Sequence, residues 1–203
     1  MYLSKTPRLL KALYPSLTWD FRDHKGKVYL TFDDGPIPEV TPYVLNVLAE
    51  FKIKATFFCI GDNVRKHPTV FQQIIDAGHS IGNHTFNHLN GWKTSNSEYT
   101  ENTMLCESHF KSQIFRPPYG RIKRSQIKSL QNRFKIIMYD VLSGDFDTKI
   151  DAEKCYQNVV QNTSDGSIIV FHDSLKAFPN MKDALPKVIT TLLKQGYSFH
   201  SID

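Results

Sequence analysis

The amino-acid sequence predicts an α/β fold, namely a distorted parallel barrel of the (β/α)7 type in a single domain. The chain has 203 residues, of which 40% are hydrophobic and 12% aromatic, and this composition suits one packed domain. Short apolar runs alternate with segments of helical periodicity, as expected for parallel strands with helices outside the sheet. Most of these runs are continuously apolar, which is typical of strands buried on both faces.

The predicted strands are runs of apolar, β-branched and aromatic residues that end at polar residues or turn formers. In chain order they cover residues 27–32, 55–60, 80–83, 114–115, 135–139, 167–171 and 197–202. No Gly-x-Gly-x-x-Gly follows the first of them, so a dinucleotide-binding fold has no support. A closed or nearly closed barrel therefore fits the alternation better.

The predicted helices carry apolar residues at helical spacing, as Val40, Val44 and Val47 do. Gly78 and Gly196 mark the ends of two of them. In chain order the helices cover residues 39–51, 68–77, 99–110, 127–130, 152–160 and 185–193. The polar stretch 84–97 between two of these elements is predicted to be a loop.

The N-terminal residues 1–24 are predicted to be an extension that packs on the domain formed by residues 25–203. An amphipathic helix resting on a membrane surface is the alternative, because Leu3, Leu9 and Leu13 alternate with basic residues. This stretch lacks an apolar core of signal-peptide length, and no apolar run in the chain is long enough to cross a bilayer. These features predict a cytoplasmic protein.

Charge and cysteine content exclude several classes of protein. The formal net charge is +5, but the basic residues are scattered, and the group around Arg121 and Arg124 is interpreted as a solvated helix face. No nucleic-acid partner is therefore expected. The three cysteines, Cys59, Cys106 and Cys155, are far apart in sequence and odd in number, so neither a disulfide framework nor a cysteine zinc site is expected.

Polar residues follow the predicted strands directly, and a parallel barrel collects its active site at that rim. Asp33 and Asp34 follow the first strand, and Arg116 follows the fourth. The other residues expected at the same rim are His84, His88, Asp140, Asp145, His172 and Asp173.

His84 and His88 are four positions apart, which on one helical turn would place both imidazoles on the same face. Neutral imidazole is the commonest metal ligand, and a carboxylate from elsewhere would complete the three protein ligands of a catalytic zinc site. The alternative is a pair of partly exposed loop histidines without a metal. His79 precedes its strand, at the opposite end of the barrel, and is interpreted as structural.

Asp33 and Asp34 are adjacent carboxylates, which repel each other unless a metal or another cation stabilises them. The alternative is a simple turn, in which Asp34, Gly35 and Pro36 reverse the chain. Because Gly35 and Pro36 suffice for a turn, the two acidic residues favour a functional site.

Four motifs occur in an order that resembles the polysaccharide deacetylase family, also called NodB-homology or carbohydrate esterase 4. They are Thr31-Phe32-Asp33-Asp34-Gly35-Pro36, His84-Thr85-Phe86-Asn87-His88, Arg116-Pro117-Pro118-Tyr119-Gly120 and Val170-Phe171-His172. The family's Asp-x-x-Asp-Trp motif maps onto residues 142–146 with departures, because Leu142 replaces the first Asp and Phe146 replaces Trp.

The resemblance implies a divalent metal bound by Asp34, His84 and His88. Zinc is the metal expected first, and a site of two histidines and one aspartate also admits cobalt, nickel or iron. In the same reading Asp33 is the general base.

The remaining roles also come from the resemblance. It implies that Arg116 pairs with Asp33, that His172 is the general acid and that Asp145 orients His172. The oxyanion and substrate pocket is then expected to involve Tyr119, Phe146, Val170 and Pro117.

The expected function is metal-dependent hydrolysis of an N-acetyl group on a sugar or polysaccharide, so an N-acetylated glycan is the expected substrate. Two alternatives remain open, an amidase or esterase acting on a non-sugar acyl substrate and a catalytically silent carbohydrate-binding member. Members of this family often act on the cell envelope, which conflicts with the cytoplasmic prediction. The sequence does not predict an oligomeric state.

Overall fold

The computed structural model describes residues 2–203 and confirms the predicted α/β class. The strands are β1 (Lys27–Asp33), β2 (Thr56–Cys59), β3 (Ser80–Asn83), β4 (Ile114–Phe115), β5 (Lys135–Ile136), β6 (Val141–Leu142), β7 (Ile168–His172) and β8 (Ser198–His200). The α-helices are α1 (Arg8–Leu13), α2 (Thr41–Glu50), α3 (Gly61–Lys66), α4 (Pro68–Asp76), α5 (Asn96–Leu105), α6 (Arg124–Leu130), α7 (Ala152–Val160) and α8 (Phe178–Lys194).

The strands form one parallel sheet that curves into a half-barrel with the order β5-β4-β3-β2-β1-β7-β6, and β8 pairs with the first half of β1. This arrangement agrees with the distorted (β/α)7 barrel predicted from the alternation of elements. At the centre of the sheet, Asp33 lies opposite Phe58 on one side and His172 on the other. The register therefore aligns the carboxyl ends of the three central strands.

Alternate residues of each strand face two different apolar layers, as the two-residue period of a strand requires. Leu30 and Phe32 of β1 belong to the large cluster that includes residues of α2 and α8. Tyr29 belongs to a smaller cluster with Phe58 and Ile168, which fills the concave face of the sheet. Thr31 and Asp33 share that concave face with Tyr29, so Asp33 stands above a packed interior.

The N-terminal segment runs between β5 and β6, the two ends of the sheet order. Lys5 forms an antiparallel bridge with Val141, and Thr18 forms a parallel bridge with Ile137. Met138 N–H donates to the carbonyl oxygen of Thr18 at 2.7 Å. Backbone groups at both ends of the sheet thus obtain hydrogen bonds that a half-open barrel would otherwise leave unpaired.

Helix α1 buries none of its six residues. Leu9 and Leu13 are 73% and 54% exposed. The segment is instead attached by residues on both sides of the helix, including the buried Thr6, Leu17 and Trp19.

The prediction that Asp140 joins the polar rim is wrong. Strand β5 ends at Ile136, and Asp140 immediately precedes β6, so it lies at the amino end of a strand. Its carboxylate accepts hydrogen bonds from Lys5 and Ser167, each at 2.6 Å, and forms an ion pair with Lys11. Asp140 therefore anchors the N-terminal segment.

In residues 2–203 the three cysteines lie in the core. Cys59, Cys106 and Cys155 are all free and buried, and burial raises the pKa of the Cys106 thiol to about 12. They are small core residues rather than nucleophiles. Within the same residues no helix has the length and apolar character needed to cross a bilayer.

Candidate active site

Arg116 is the largest charged side chain inside the barrel, with 1% of its surface exposed. Its Nη1 donates to Asp33 Oδ1 and to Thr31 Oγ1, both at 2.7 Å, and its Nη2 donates to the carbonyl oxygen of Met138 at 3.0 Å. The guanidinium also lies 4.0 Å from the centre of the Phe58 ring. A buried charge is tolerated only when paired in this way, so Arg116 fixes the Asp33 carboxylate at the end of β1.

Asp34, His84 and His88 bring one ligand atom each within 4.8 Å of one another. Asp34 Oδ1 lies 3.1 Å from His88 Nε2 and 3.8 Å from His84 Nε2. This oxygen is buried and accepts no hydrogen bond from residues 2–203. Buried polar atoms are normally satisfied, and two ring nitrogens beside an unsatisfied carboxylate oxygen are the geometry of a shared cation.

His84 and His88 do not lie on a helical turn. The prediction that helical spacing brings the two imidazoles together is therefore wrong. Residues 84–90 form an irregular loop after β3, with positive φ at Thr85 (61°) and His88 (56°). Asn83 Oδ1 accepts the N–H of Thr85 at 2.9 Å. Asn102 Oδ1 on α5 accepts the N–H of Asn87, also at 2.9 Å. Side chains of neighbouring elements therefore hold a strained loop in shape.

The tautomer of His84 suits a metal ligand. Its Nδ1 lies 2.8 Å from the carbonyl oxygen of Arg116, which has no proton to offer, so Nδ1 must donate and Nε2 carries the lone pair. Burial lowers the pKa of His84 to about 4, although Asp33 acts in the opposite direction. The ring is therefore neutral at physiological pH, and its second nitrogen is oriented as in most metal sites.

The residues present fit a divalent metal. One carboxylate oxygen and two imidazole nitrogens are the donor set of many catalytic zinc sites, which leave a further position open. Burial acts to raise the pKa of Asp34, but His88, His172 and His84 together lower it. Asp34 is thus an anion beside neutral His84, which is the protonation state that ligation requires.

His172 and Asp145 form a second polar pair at the same rim. His172 Nδ1 lies 2.8 Å from Asp145 Oδ1, and the backbone N–H of His172 donates to Asp145 Oδ2 at 2.7 Å. Burial alone would lower the pKa of His172, but the Asp145 carboxylate outweighs it and raises the pKa to about 10. The imidazolium form is therefore stable, and Asp145 fixes the direction of its ring.

Asp173 is a buried carboxyl group that the sequence places at the rim but does not distinguish. Its Oδ1 accepts the N–H of Gly35 at 2.9 Å, and its Oδ2 accepts the hydroxyl of Thr41 at 2.6 Å. Burial raises the pKa of Asp173 to about 8. A Cβ on Gly35 would lie 1.9 Å from this carboxylate, so Asp173 fixes the turn that carries Asp34.

The remaining predicted pocket residues lie near the proposed metal ligands and the His172–Asp145 pair. Tyr119 has a positive φ of 60° and is 60% exposed, with its ring centre 4.5 Å from that of His88. The Phe146 ring centre lies 5.1 Å from that of His172. Val170 is buried on β7 opposite Leu142, and Pro117 is buried after Arg116. Tyr119 and Phe146 therefore border the metal and imidazolium sides of the site.

Comparison with known proteins gives the family of the chain. A family model described as polysaccharide deacetylase matches residues 21–133. A peptidoglycan-N-acetylglucosamine deacetylase from Bacillus cereus is 34% identical over 96% of this chain and 95% of that protein. A chitooligosaccharide deacetylase from Azorhizobium caulinodans is 33% identical over 74% of this chain and 75% of that protein.

A solved structure is similar over almost the whole chain. It is the Bc1960 peptidoglycan N-acetylglucosamine deacetylase in complex with 4-naphthalen-1-yl-N-oxidanyl-benzamide. The two structures superpose with a TM-score of 0.86 at 32% identity, covering 97% of this chain and 95% of that one. The family predicted from the motifs is thereby confirmed, and with it the class of carbohydrate N-deacetylases, which are metal-dependent hydrolases. The chain belongs to the polysaccharide deacetylase family.

Proposed function

We propose that this chain removes the N-acetyl group from N-acetylglucosamine residues of peptidoglycan, with zinc held by Asp34, His84 and His88. The observation that carries the proposal is the buried, unsatisfied oxygen of Asp34 beside two imidazole nitrogens. A zinc ion bound there would polarise the amide carbonyl group and make a water molecule more acidic. The relatives named above support the choice of substrate.

Asp33 acts as the base in this proposal. Arg116 and Thr31 hold it, and its hydrogen bond from Arg116 uses Oδ1, so Oδ2 is the oxygen available to take a proton from the attacking water. The ion pair with Arg116 fixes the carboxylate at the rim. The proposed base is thus held in position when the substrate arrives.

His172 acts as the acid. An amine is a poor leaving group unless it is protonated, and His172 carries a proton on Nε2 while Asp145 binds Nδ1. Transfer of that proton to the amide nitrogen lets the carbon–nitrogen bond break. Phe146 and Val170 offer apolar surface for the acetyl methyl group, and the backbone N–H of Tyr119 is the proposed donor to the developing oxyanion.

Acetate release tests this proposal. The metal-free protein is supplied with zinc or cobalt and incubated with N-acetylated peptidoglycan fragments and, separately, chitooligosaccharides. We expect acetate from the peptidoglycan fragments, and acetate from chitooligosaccharides alone would reject peptidoglycan as the substrate. We also expect His88→Ala to lose bound metal and activity together. His200→Ala is the matched control. His200 lies on β8, which pairs with the start of β1, whereas the proposed site lies at the end of β1. A silent wild-type protein with full metal would reject the function, and full activity of metal-free His88→Ala would reject the ligand assignment.

If peptidoglycan is the substrate, the protein acts at the cell envelope. The sequence, in contrast, predicts a cytoplasmic protein. Fractionation of cells with an antibody against the chain distinguishes the two locations. Recovery in the envelope fraction is the expected result.

A further inference from the structure

The side chain of Tyr2 lies against the loop that follows β6. The N–H of Leu142 donates to the carbonyl oxygen of Ser4 at 2.9 Å, as part of the antiparallel contact between the N-terminal segment and β6. Continuing this register by two residues on each chain brings Tyr2 level with Gly144. The backbone pairing therefore directs Tyr2 to the loop that carries Asp145.

Gly144 leaves the space that Tyr2 fills. Gly144 has a φ of +80°, and a Cβ added there would lie 2.5 Å from Tyr2 Oη and 3.0 Å from two ring carbons. Both the backbone conformation and the close approach of Tyr2 thus require glycine at this position. Tyr2 is consequently seated in a formed contact, and its side chain is partly buried.

Phe146 lies between Tyr2 and His172. The centres of the Tyr2 and Phe146 rings are 5.1 Å apart at an interplanar angle of 60°. The Phe146 and His172 rings are also 5.1 Å apart, at 80°. Both are edge-to-face contacts of the favourable kind. Phe146 is therefore held on both sides and can turn away from His172 only if Tyr2 moves.

We propose that Tyr2 is a positioning residue that fixes the Phe146 ring and so limits the size of the acyl group accepted beside His172. The proposal rests on the proposed function, because it takes the space next to His172 and Val170 as the acyl pocket. Tyr2 itself does not touch the reacting atoms in this account. Removal of the Tyr2 side chain gives the Phe146 ring room to rotate outward. The acyl pocket then becomes larger and makes fewer contacts with a small acetyl group.

Acyl selectivity is the readout that a merely structural role would not change. The zinc-loaded variants Tyr2→Ala, Tyr2→Phe and Leu3→Ala are compared with the wild type on N-acetyl and N-propionyl chitooligosaccharides. Leu3 is the matched control, since it is the next residue and is 57% exposed. We expect Tyr2→Ala to raise the ratio of kcat/KM for propionyl over acetyl by about tenfold, the lower range for one methylene. Tyr2→Phe and Leu3→Ala should keep the wild-type ratio.

An unchanged ratio in Tyr2→Ala, or an equal change in Leu3→Ala, would overturn the proposal while leaving the deacetylase activity established. A second measurement does not depend on activity. Urea unfolding of Tyr2→Ala, Phe146→Leu and the double variant should show non-additive losses of stability, because both single changes remove the same ring contact. Additive losses would also contradict the proposal, whereas a wild-type protein without activity would count against the function alone.

Discussion

At the scale of single residues, the proposed base Asp33 is held by one buried cation, Arg116. Asp33→Asn removes the proton acceptor but leaves Asp34, His84 and His88 in place. We expect metal content to stay at the wild-type level and acetate release to fall by about 10²–10⁴-fold, the usual contribution of a general base. Stability should also fall by about 3–5 kcal/mol, because the Arg116 guanidinium loses its buried counter-charge.

Metal analysis, acetate assays and urea unfolding check these three outcomes on the same preparation. Asp62→Asn is the control, since Asp62 forms its ion pairs with Arg65 and Lys66 on α3. Turnover near the wild-type value in Asp33→Asn would move the base to another residue.

Substitution of His172 can distinguish a role in proton donation from a role in substrate binding. The His172→Ala variant should lose far more activity on an N-acetyl amide than on an acetyl ester with an aryl leaving group, because an aryloxide departs without a proton. The measurement is the ratio of kcat values for the two substrates in the wild type and the variant. Equal losses on both substrates would show that His172 does not act as the acid.

At the scale of elements, the metal site depends on how helix α5 supports the loop after β3. Asn102 accepts the N–H groups of Phe86 and Asn87 at 3.0 and 2.9 Å and donates to the Asn87 side chain at 2.8 Å. Asn102→Ala removes these side-chain bonds, so the N–H of Asn87 loses its acceptor, while the N–H of Phe86 keeps the backbone carbonyl oxygen of residue 102 at 3.1 Å. We expect zinc affinity to fall by about 10–100-fold, as for other groups that support metal ligands.

Isothermal titration of the metal-free protein with zinc measures this change. Glu101→Ala is the matched control, because Glu101 is the preceding residue on α5 and its side chain accepts a hydrogen bond from Ser97 of the same helix. An unchanged affinity in Asn102→Ala would mean that the loop holds its shape without the helix.

Most strands and long helices could be predicted because their apolar residues are periodic and their ends carry turn formers. Strand β3 and helix α7 have the predicted bounds, Ser80–Asn83 and Ala152–Val160. Helix α3 was not predicted. It has six residues, and Val64 is its one buried apolar side chain other than glycine, so it shows no apolar periodicity. The predicted fifth strand is too long. The N–H of Ile137 still donates to the carbonyl oxygen of Phe115 on β4, but the N–H of Met138 donates to Thr18 of the N-terminal segment.

The candidate site divides in the same way. The family resemblance implies the set Asp34, His84 and His88, and these residues follow β1 and β3, the two strands on either side of β2. It does not predict Asn102 or Tyr2, whose contacts arise from tertiary pairing between segments far apart in the chain. No local pattern marks such residues, since their role comes from the partner they reach.

At the scale of the whole molecule, His79 links stability to pH at the end of the barrel away from the active site. Its Nδ1 accepts the N–H of Ala55 at 3.2 Å, and burial, with Lys54 nearby, lowers the pKa of His79 from 6.5 to about 4. The neutral ring is thus favoured in the fold, as its structural interpretation requires. Between these pH values the unfolded chain binds a proton that the folded chain does not.

The free energy of unfolding should therefore fall as the pH is lowered from about 6.5 towards 4, by up to about 1.4 kcal/mol per pH unit from this group. Urea unfolding at pH 7.5, 6.0 and 5.0 measures the slope for the wild type and for His79→Gln, which can still accept the Ala55 N–H. The variant should have a smaller slope below pH 6.5 and the wild-type slope above pH 7. Identical slopes at low pH would show that His79 does not contribute.

In the proposed metal site, Asp34, His84 and His88 hold one divalent metal ion. Anomalous difference density from a crystal of the zinc-loaded protein, measured at the zinc absorption edge, shows whether a zinc ion lies there. We predict a single strong peak about 2.0–2.2 Å from a carboxylate oxygen of Asp34 and from Nε2 of both histidines. If the zinc-loaded protein is active but its crystals show no peak at this position, or a peak at other residues, the proposed metal site is wrong.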